Sequence, residues 1–64
     1  MTLEERKERL AELSAYKPYR RRRSESKEEY ATRACSIMHR GWAFLGLGRP
    51  WFDQQVADTL SLIS

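Results

Sequence analysis

The chain has 64 residues and a mass of 7.6 kDa. That is room for one small domain and excludes a multidomain enzyme, because a chain of this length buries only about 60% of the surface it exposes when unfolded. Twelve Lys and Arg against nine Asp and Glu give a net charge of +3, and the 41% hydrophobic content lies between disordered and ordinary globular compositions. Cys35 has no second cysteine to pair with, which excludes the internal disulfide that staples most small secreted domains and makes the cytoplasm the expected location.

Charge fills the first half of the chain, while Trp42, Phe44, Trp51 and Phe52, all of its Trp and Phe, lie in the second. The core is therefore expected mainly from the C-terminal half. Residues 1 to 13 alternate acid and base where a signal peptide would need an apolar run. The uncharged stretch from Gly41 to Gly48 spans eight residues, well short of the roughly 20 needed to cross a bilayer.

The first predicted element is a helix over residues 3 to 16. Thr2 followed three residues later by Glu5 forms a capping box, in which the hydroxyl and the carboxylate each satisfy an otherwise orphaned backbone N–H. Leu3, Leu10 and Leu13 make one narrow apolar stripe, and Glu4, Glu5, Lys7, Glu8, Arg9 and Glu12 fill the other faces. So thin an edge must lean on another element to persist. Pro18 ends the helix, because the residue before a proline is biased away from helical angles.

Residues 17 to 25 read as a basic hinge. In Tyr16-Lys17-Pro18-Tyr19-Arg20-Arg21-Arg22-Arg23 the cations meet no acid and two aromatic rings lie beside them. Arginine forks pair with carboxylates and phosphates, and tyrosine rings stack on unpaired bases. Tyr19, Arg20, Arg21, Arg22 and Arg23 are accordingly candidate contact residues for an acidic protein or a nucleic acid, set against the plain reading of a solvated linker answering Glu25, Glu28 and Glu29.

A second helix is predicted over residues 26 to 45, opened by the capping box Ser26 to Glu29. Tyr30, Ala34, Ile37, Met38, Gly41, Phe44 and Leu45 gather on one face at helical spacing, which makes them the expected core stripe. Gly41 falls in its centre and is expected to admit a neighbouring helix at close range. His39 falls on the outer face as a solvated histidine, and Cys35 borders the stripe as a small hydrophobe. One cysteine and one histidine offer half the ligands of a structural zinc site, so no metal and no cofactor is expected.

Gly46-Leu47-Gly48-Arg49-Pro50 reads as a helix stop followed by a helix start, lacking the lysine and the preceding strand of a phosphate-binding loop. The third helix is predicted over residues 50 to 63, burying Phe52, Val56, Leu60 and Ile63 with Thr59 beside them. Trp51 and Leu62 fall on another face with Gln55 and Asp58. With Trp42 at the margin of the second stripe, they are candidate protein-contact residues, since tryptophan and arginine are enriched at interface hot spots.

The expected architecture is all-α: a small three-helix domain in which a C-terminal helical hairpin is joined by the basic hinge to an N-terminal amphipathic helix. No residue set points to catalysis. The expected function is that of a small regulatory or inhibitor protein acting by occupancy of a macromolecular partner, a protein above all, in the manner of compact accessory proteins of phages and mobile elements. The alternative is a nucleic-acid-binding protein gripping phosphates through Arg20 to Arg23. A third helix carrying Asp53 and Asp58, with no Lys or Arg after Arg49, is unlike a groove-reading recognition helix. A homodimer is a further expectation, because domains this small often gain stability from a second copy.

Overall fold

The computed structural model of the chain describes residues 1–63. Three helices, α1 (Leu3–Ala15), α2 (Lys27–Met38) and α3 (Arg49–Ile63), are joined by a 3-10 turn at Lys17–Tyr19 and by a run of tight turns over residues 39–46. Among the described residues there is no strand, so the fold is an all-α three-helix domain. No helix among them is long and apolar enough to cross a membrane.

Both capping boxes form. The Glu5 amide donates to Thr2 Oγ1 at 3.1 Å and the Thr2 amide to Glu5 Oε1 at 3.3 Å. At α2 the Glu29 amide donates to Ser26 Oγ at 3.1 Å and the Ser26 amide to Glu29 Oε1 at 3.2 Å. Two of the orphan donors at each helix start are thus satisfied by the chain itself. At the start of α3, the carbonyl of Gly48 accepts from the Phe52 amide at 3.2 Å, and Pro50 occupies the first turn, where a missing N–H costs nothing.

The hairpin of α2 and α3 holds the core. Tyr30, Ala31, Ala34 and Cys35 from α2 and Phe52 and Thr59 from α3 are buried, with Val56, Leu60 and Ile63 half-buried around them. The buried line of α3 therefore runs through Phe52 and Thr59, and Val56, Leu60 and Ile63 flank it. Helix α1 crosses the hairpin with Leu10 and Leu13 half-buried, while Leu3 stays 55% exposed.

Helix α2 stops at Met38, well before residue 45. Gly41 has φ +81° and Gly46 φ +80°, the left-handed region that side-chain-bearing residues avoid. The His39 carbonyl accepts from the Trp42 amide at 3.1 Å, closing a tight turn around Gly41. The amides of Gly46 and Leu47 then donate to the carbonyls of Ala43 and Trp42, each at 3.2 Å. That pair of bonds is a Schellman closure, with Gly46 at its left-handed position. The stop role expected of Gly46 is filled, for a single helical turn and not for the long helix.

Two expectations fall with that helix. Phe44 is 97% and Leu45 75% exposed, so neither belongs to the core stripe. Gly41 faces no other helix either: a Cβ built there meets nothing within 4 Å, and its glycine serves the backbone angle.

Arg6 is the residue the apolar pattern passed over. It stands in register with Leu3, Leu10 and Leu13, is 4% exposed, and locks α1 onto α3. Its Nη1 donates to Thr59 Oγ1 at 2.9 Å and its Nη2 to Gln55 Oε1 at 2.6 Å. Thr59 Oγ1 in turn lies 3.1 Å from Cys35 Sγ, so a single buried polar chain ties all three helices together.

Candidate functional site

The basic segment is tied by hydrogen bonds to α1 on one side and to α2 on the other. Pro18 ends α1, and the 3-10 turn is closed by the amides of Tyr19 and Arg20 on the carbonyls of Tyr16 and Lys17, at 2.9 and 3.2 Å. Arg20 folds back on α1, its Nε donating to the carbonyl of Ser14 at 3.0 Å. That carbonyl lies in the last turn of α1, where orphan acceptors and the negative end of the helix dipole favour a cation. Arg21 reaches forward instead, its Nε donating to the Glu25 carbonyl at 3.1 Å.

Glu25 and Arg33 anchor the segment to α2. Arg33 donates to both carboxylate oxygens of Glu25, at 2.9 Å from Nε and 2.8 Å from Nη2, the bidentate fork that gives such pairs their strength. Its Nη2 also donates to the Arg20 carbonyl at 2.7 Å, and the Arg22 amide donates to Glu25 Oε1 at 3.1 Å. These donors, Arg33 first and the Arg22 amide next, pull the Glu25 carboxyl down to about 2.

The consequence for Arg20 and Arg21 is electrostatic. Each is positioned by a neutral carbonyl, and the carboxylate of Glu25, whose carbonyl holds Arg21, is engaged by Arg33. By contrast, Arg49 pairs with Asp53 at 3.2 Å. Arg20 and Arg21 therefore present ordered positive charge that no ion pair neutralises among the described residues. Arg23 makes neither hydrogen bond nor ion pair among them.

Arg20 and Arg21 stand over a groove of about 420 Å³ whose walls include Leu10 and Ala11 from α1 and Leu62 and Ile63 from α3. The Tyr30 hydroxyl lies 3.4 Å from Ser14 Oγ in the same groove. Three of the sequence-predicted residues, Arg20, Arg21 and Leu62, thus meet in one place, although α2 and α3 separate them along the chain.

The other predicted residues lie apart from it. Tyr19 packs edge-on against Tyr16 with ring centres 5.0 Å apart, and both rings remain exposed. They border a separate hollow with Ile37 and Met38. Trp42 stacks on Phe52 at 4.7 Å with the rings 12° from parallel, and Trp51 meets His39 edge-on at 5.1 Å. Both tryptophans are half-buried, and the most exposed large apolar side chains nearby are Phe44 and Leu45.

His39 also departs from its expected place. Because α2 ends there, His39 caps the helix and its ring turns back onto Trp51, leaving a buried Nε2 with no hydrogen-bond partner among the described residues. Burial, assisted by the charge of Arg6, lowers its pKa below the ordinary histidine value. Cys35 is fully buried as expected, and burial raises its thiol above the usual range. No cluster of three or more His, Cys, Asp or Glu able to hold a metal is present among the described residues.

Compared with protein-family models, curated proteins and solved structures, the chain matches none.

Proposed function

We propose that the protein is a small, non-enzymatic cytoplasmic regulator that acts by binding an acidic surface of another protein and altering that partner's activity by occupancy. The observation that carries this reading is the pair Arg20 and Arg21, each fixed through Nε to a backbone carbonyl and without an ion-pair partner among the described residues. An ordered, uncompensated guanidinium pair loses little side-chain entropy on binding and gains a charge-assisted fork for each carboxylate it meets. The unpaired Cys35 suits a reducing compartment.

A second reading has its own support. Tyr16 is 57% and Tyr19 38% exposed beside the arginine run, and exposed rings next to cations are the means by which proteins hold single-stranded nucleic acid. The two readings separate on salt. A phosphate-gripping protein loses affinity steeply with ionic strength, with a slope near −0.9 per contact on duplex DNA.

The test is affinity capture from nuclease-treated lysate with the wild-type chain and a variant carrying Arg20→Ala and Arg21→Ala, followed by titration of the purified captured protein. The expected result is one protein bound by the wild type and lost by the variant, with both chains equally helical. Sub-micromolar, salt-steep binding to a defined DNA or RNA at physiological ionic strength would overturn the proposal in favour of the second reading.

A further inference from the structure

We infer that the groove beneath Arg20 and Arg21 is a recognition site for a peptide segment of the partner in which a carboxylate is followed closely by an aliphatic side chain. The inference rests on the proposed binding of an acidic protein and specifies what part of such a partner is recognised. Its first support is charge complementarity. The two guanidiniums at the rim keep their Nη groups free of hydrogen bonds among the described residues, while Arg33 engages Glu25 on both oxygens. A carboxylate arriving at the rim meets donors already oriented, and among the described residues no carboxylate is paired with them.

The second support is the chemistry of the walls. Leu10, Ala11, Leu62 and Ile63 offer aliphatic surface, and the Tyr30 hydroxyl and Ser14 Oγ are turned to each other at 3.4 Å. A volume of about 420 Å³ falls within the range of roughly 300–1,000 Å³ usual for ligand sites. Charge at the rim and hydrocarbon below it select an amphipathic anion over a purely charged one.

The position of the exposed rings favours a peptide over a nucleic acid. A nucleotide would place its phosphate on the arginines and its base on a stacking ring, but the exposed rings of Tyr16 and Tyr19 border the other hollow, with Ile37 and Met38. Aliphatic walls hold an aliphatic side chain through burial of apolar area, and that area is what separates one acidic segment from another.

Fluorescence anisotropy with three labelled peptides of equal length tests this: one of glutamate and leucine, one of glutamate and serine, one of lysine and leucine. The glutamate–leucine peptide should bind about tenfold or more tightly than either of the others. Arg20→Gln combined with Arg21→Gln should weaken it by about tenfold or more, whereas Lys7→Gln combined with Lys27→Gln, which removes the same charge at exposed positions outside the groove, should cost far less. Ala11→Trp, at an exposed position of α1, should fill the groove and abolish the preference for leucine over serine without changing the thermal melt.

Equal binding of the two glutamate peptides, with Ala11→Trp silent, would overturn the groove while leaving the acidic-partner reading intact. Tight binding of the lysine–leucine peptide would overturn the part assigned to the arginines. Binding of neither glutamate peptide, with tight binding of a single-stranded oligonucleotide, would overturn both.

Discussion

Replacing Arg6 by alanine should cost the domain a large share of its stability. Arg6 is 4% exposed and donates to Thr59 Oγ1 at 2.9 Å and Gln55 Oε1 at 2.6 Å, while its contact with the Gln55 carbonyl at 3.5 Å is too long to add much. Two hydrogen bonds from a charged donor contribute about 1.5–3 kcal/mol each. Against them stands the desolvation of a guanidinium that has no carboxylate beside it among the described residues, a penalty relieved when the charge is removed. Hydrogen bonding and desolvation largely offset each other, and truncation also removes the packing of the buried hydrocarbon stem. The net expectation for Arg6→Ala is therefore a loss of about 2–3 kcal/mol, out of the roughly 3–5 kcal/mol that a core of this size supplies.

Arg6→Met isolates the terms. It keeps the hydrocarbon stem in place, leaves Thr59 its contact with Cys35, and lets the half-buried Gln55 amide turn to water, so its cost should stay within about 1 kcal/mol. Urea unfolding followed by far-UV circular dichroism resolves differences of this size. Arg6→Ala within about 0.5 kcal/mol of wild type would refute the lock between α1 and α3. An equal loss in Arg6→Ala and Arg6→Met would refute the offset between hydrogen bonding and desolvation.

Gly41→Ala should lower stability by about 1–2 kcal/mol, because φ is +81° there although an added Cβ meets nothing; Gly41→Asn should cost less, and thermal melts in which alanine matches glycine would remove the backbone argument. On acidification, the contribution of Glu25 should be complete above its unfolded value near 4.5 and fade as pH falls toward about 2. Glu25→Gln should flatten that part of a plot of melting temperature against pH. The lowered pKa of His39 acts in a separate window: its contribution is complete above the ordinary value of 6.5 and declines as pH drops below it toward the folded value, since the unfolded chain takes up the proton first. His39→Gln should abolish that decline and leave the Glu25 window in place. Cys35, buried and with a raised thiol pKa, should react with a disulfide reagent at neutral pH only as fast as the chain opens; prompt labelling of the folded protein would contradict its burial.

The helix starts were legible because Thr2 to Glu5 and Ser26 to Glu29 are local signals, complete within one turn of chain. The end of α2 was not, because apolar spacing continues through Phe44 and Leu45 in a segment where Gly41 and Gly46 set left-handed angles that periodicity does not register. Arg6 carries a charge, so the apolar pattern passed over it, although its spacing from Leu3, Leu10 and Leu13 places it on the buried edge. At the candidate site, the accumulation of arginine was plain from composition. Which arginines would be neutralised depends on Arg33 and on the carbonyls of Ser14 and Glu25, partners that only the folded chain brings within reach. With α2 ending early, His39 and Trp42 turn onto Trp51 and Phe52 of α3, ring contacts that helical spacing through residue 45 does not register.

The polar ties of the fold differ widely in the length of chain they close. Glu25 and Arg33 are 8 residues apart, Cys35 and Thr59 are 24, and Arg6 and Thr59 are 53. Closing a longer loop sacrifices more chain entropy before any contact rewards it, so the clasp on the arginine segment and the α2–α3 hairpin can assemble while the N-terminal helix is still unattached. Docking of Arg6 then comes last. Substitutions at Arg6 should therefore leave the folding rate almost unchanged and appear in the unfolding rate, which makes this one side chain a regulator of how long the folded molecule survives between openings.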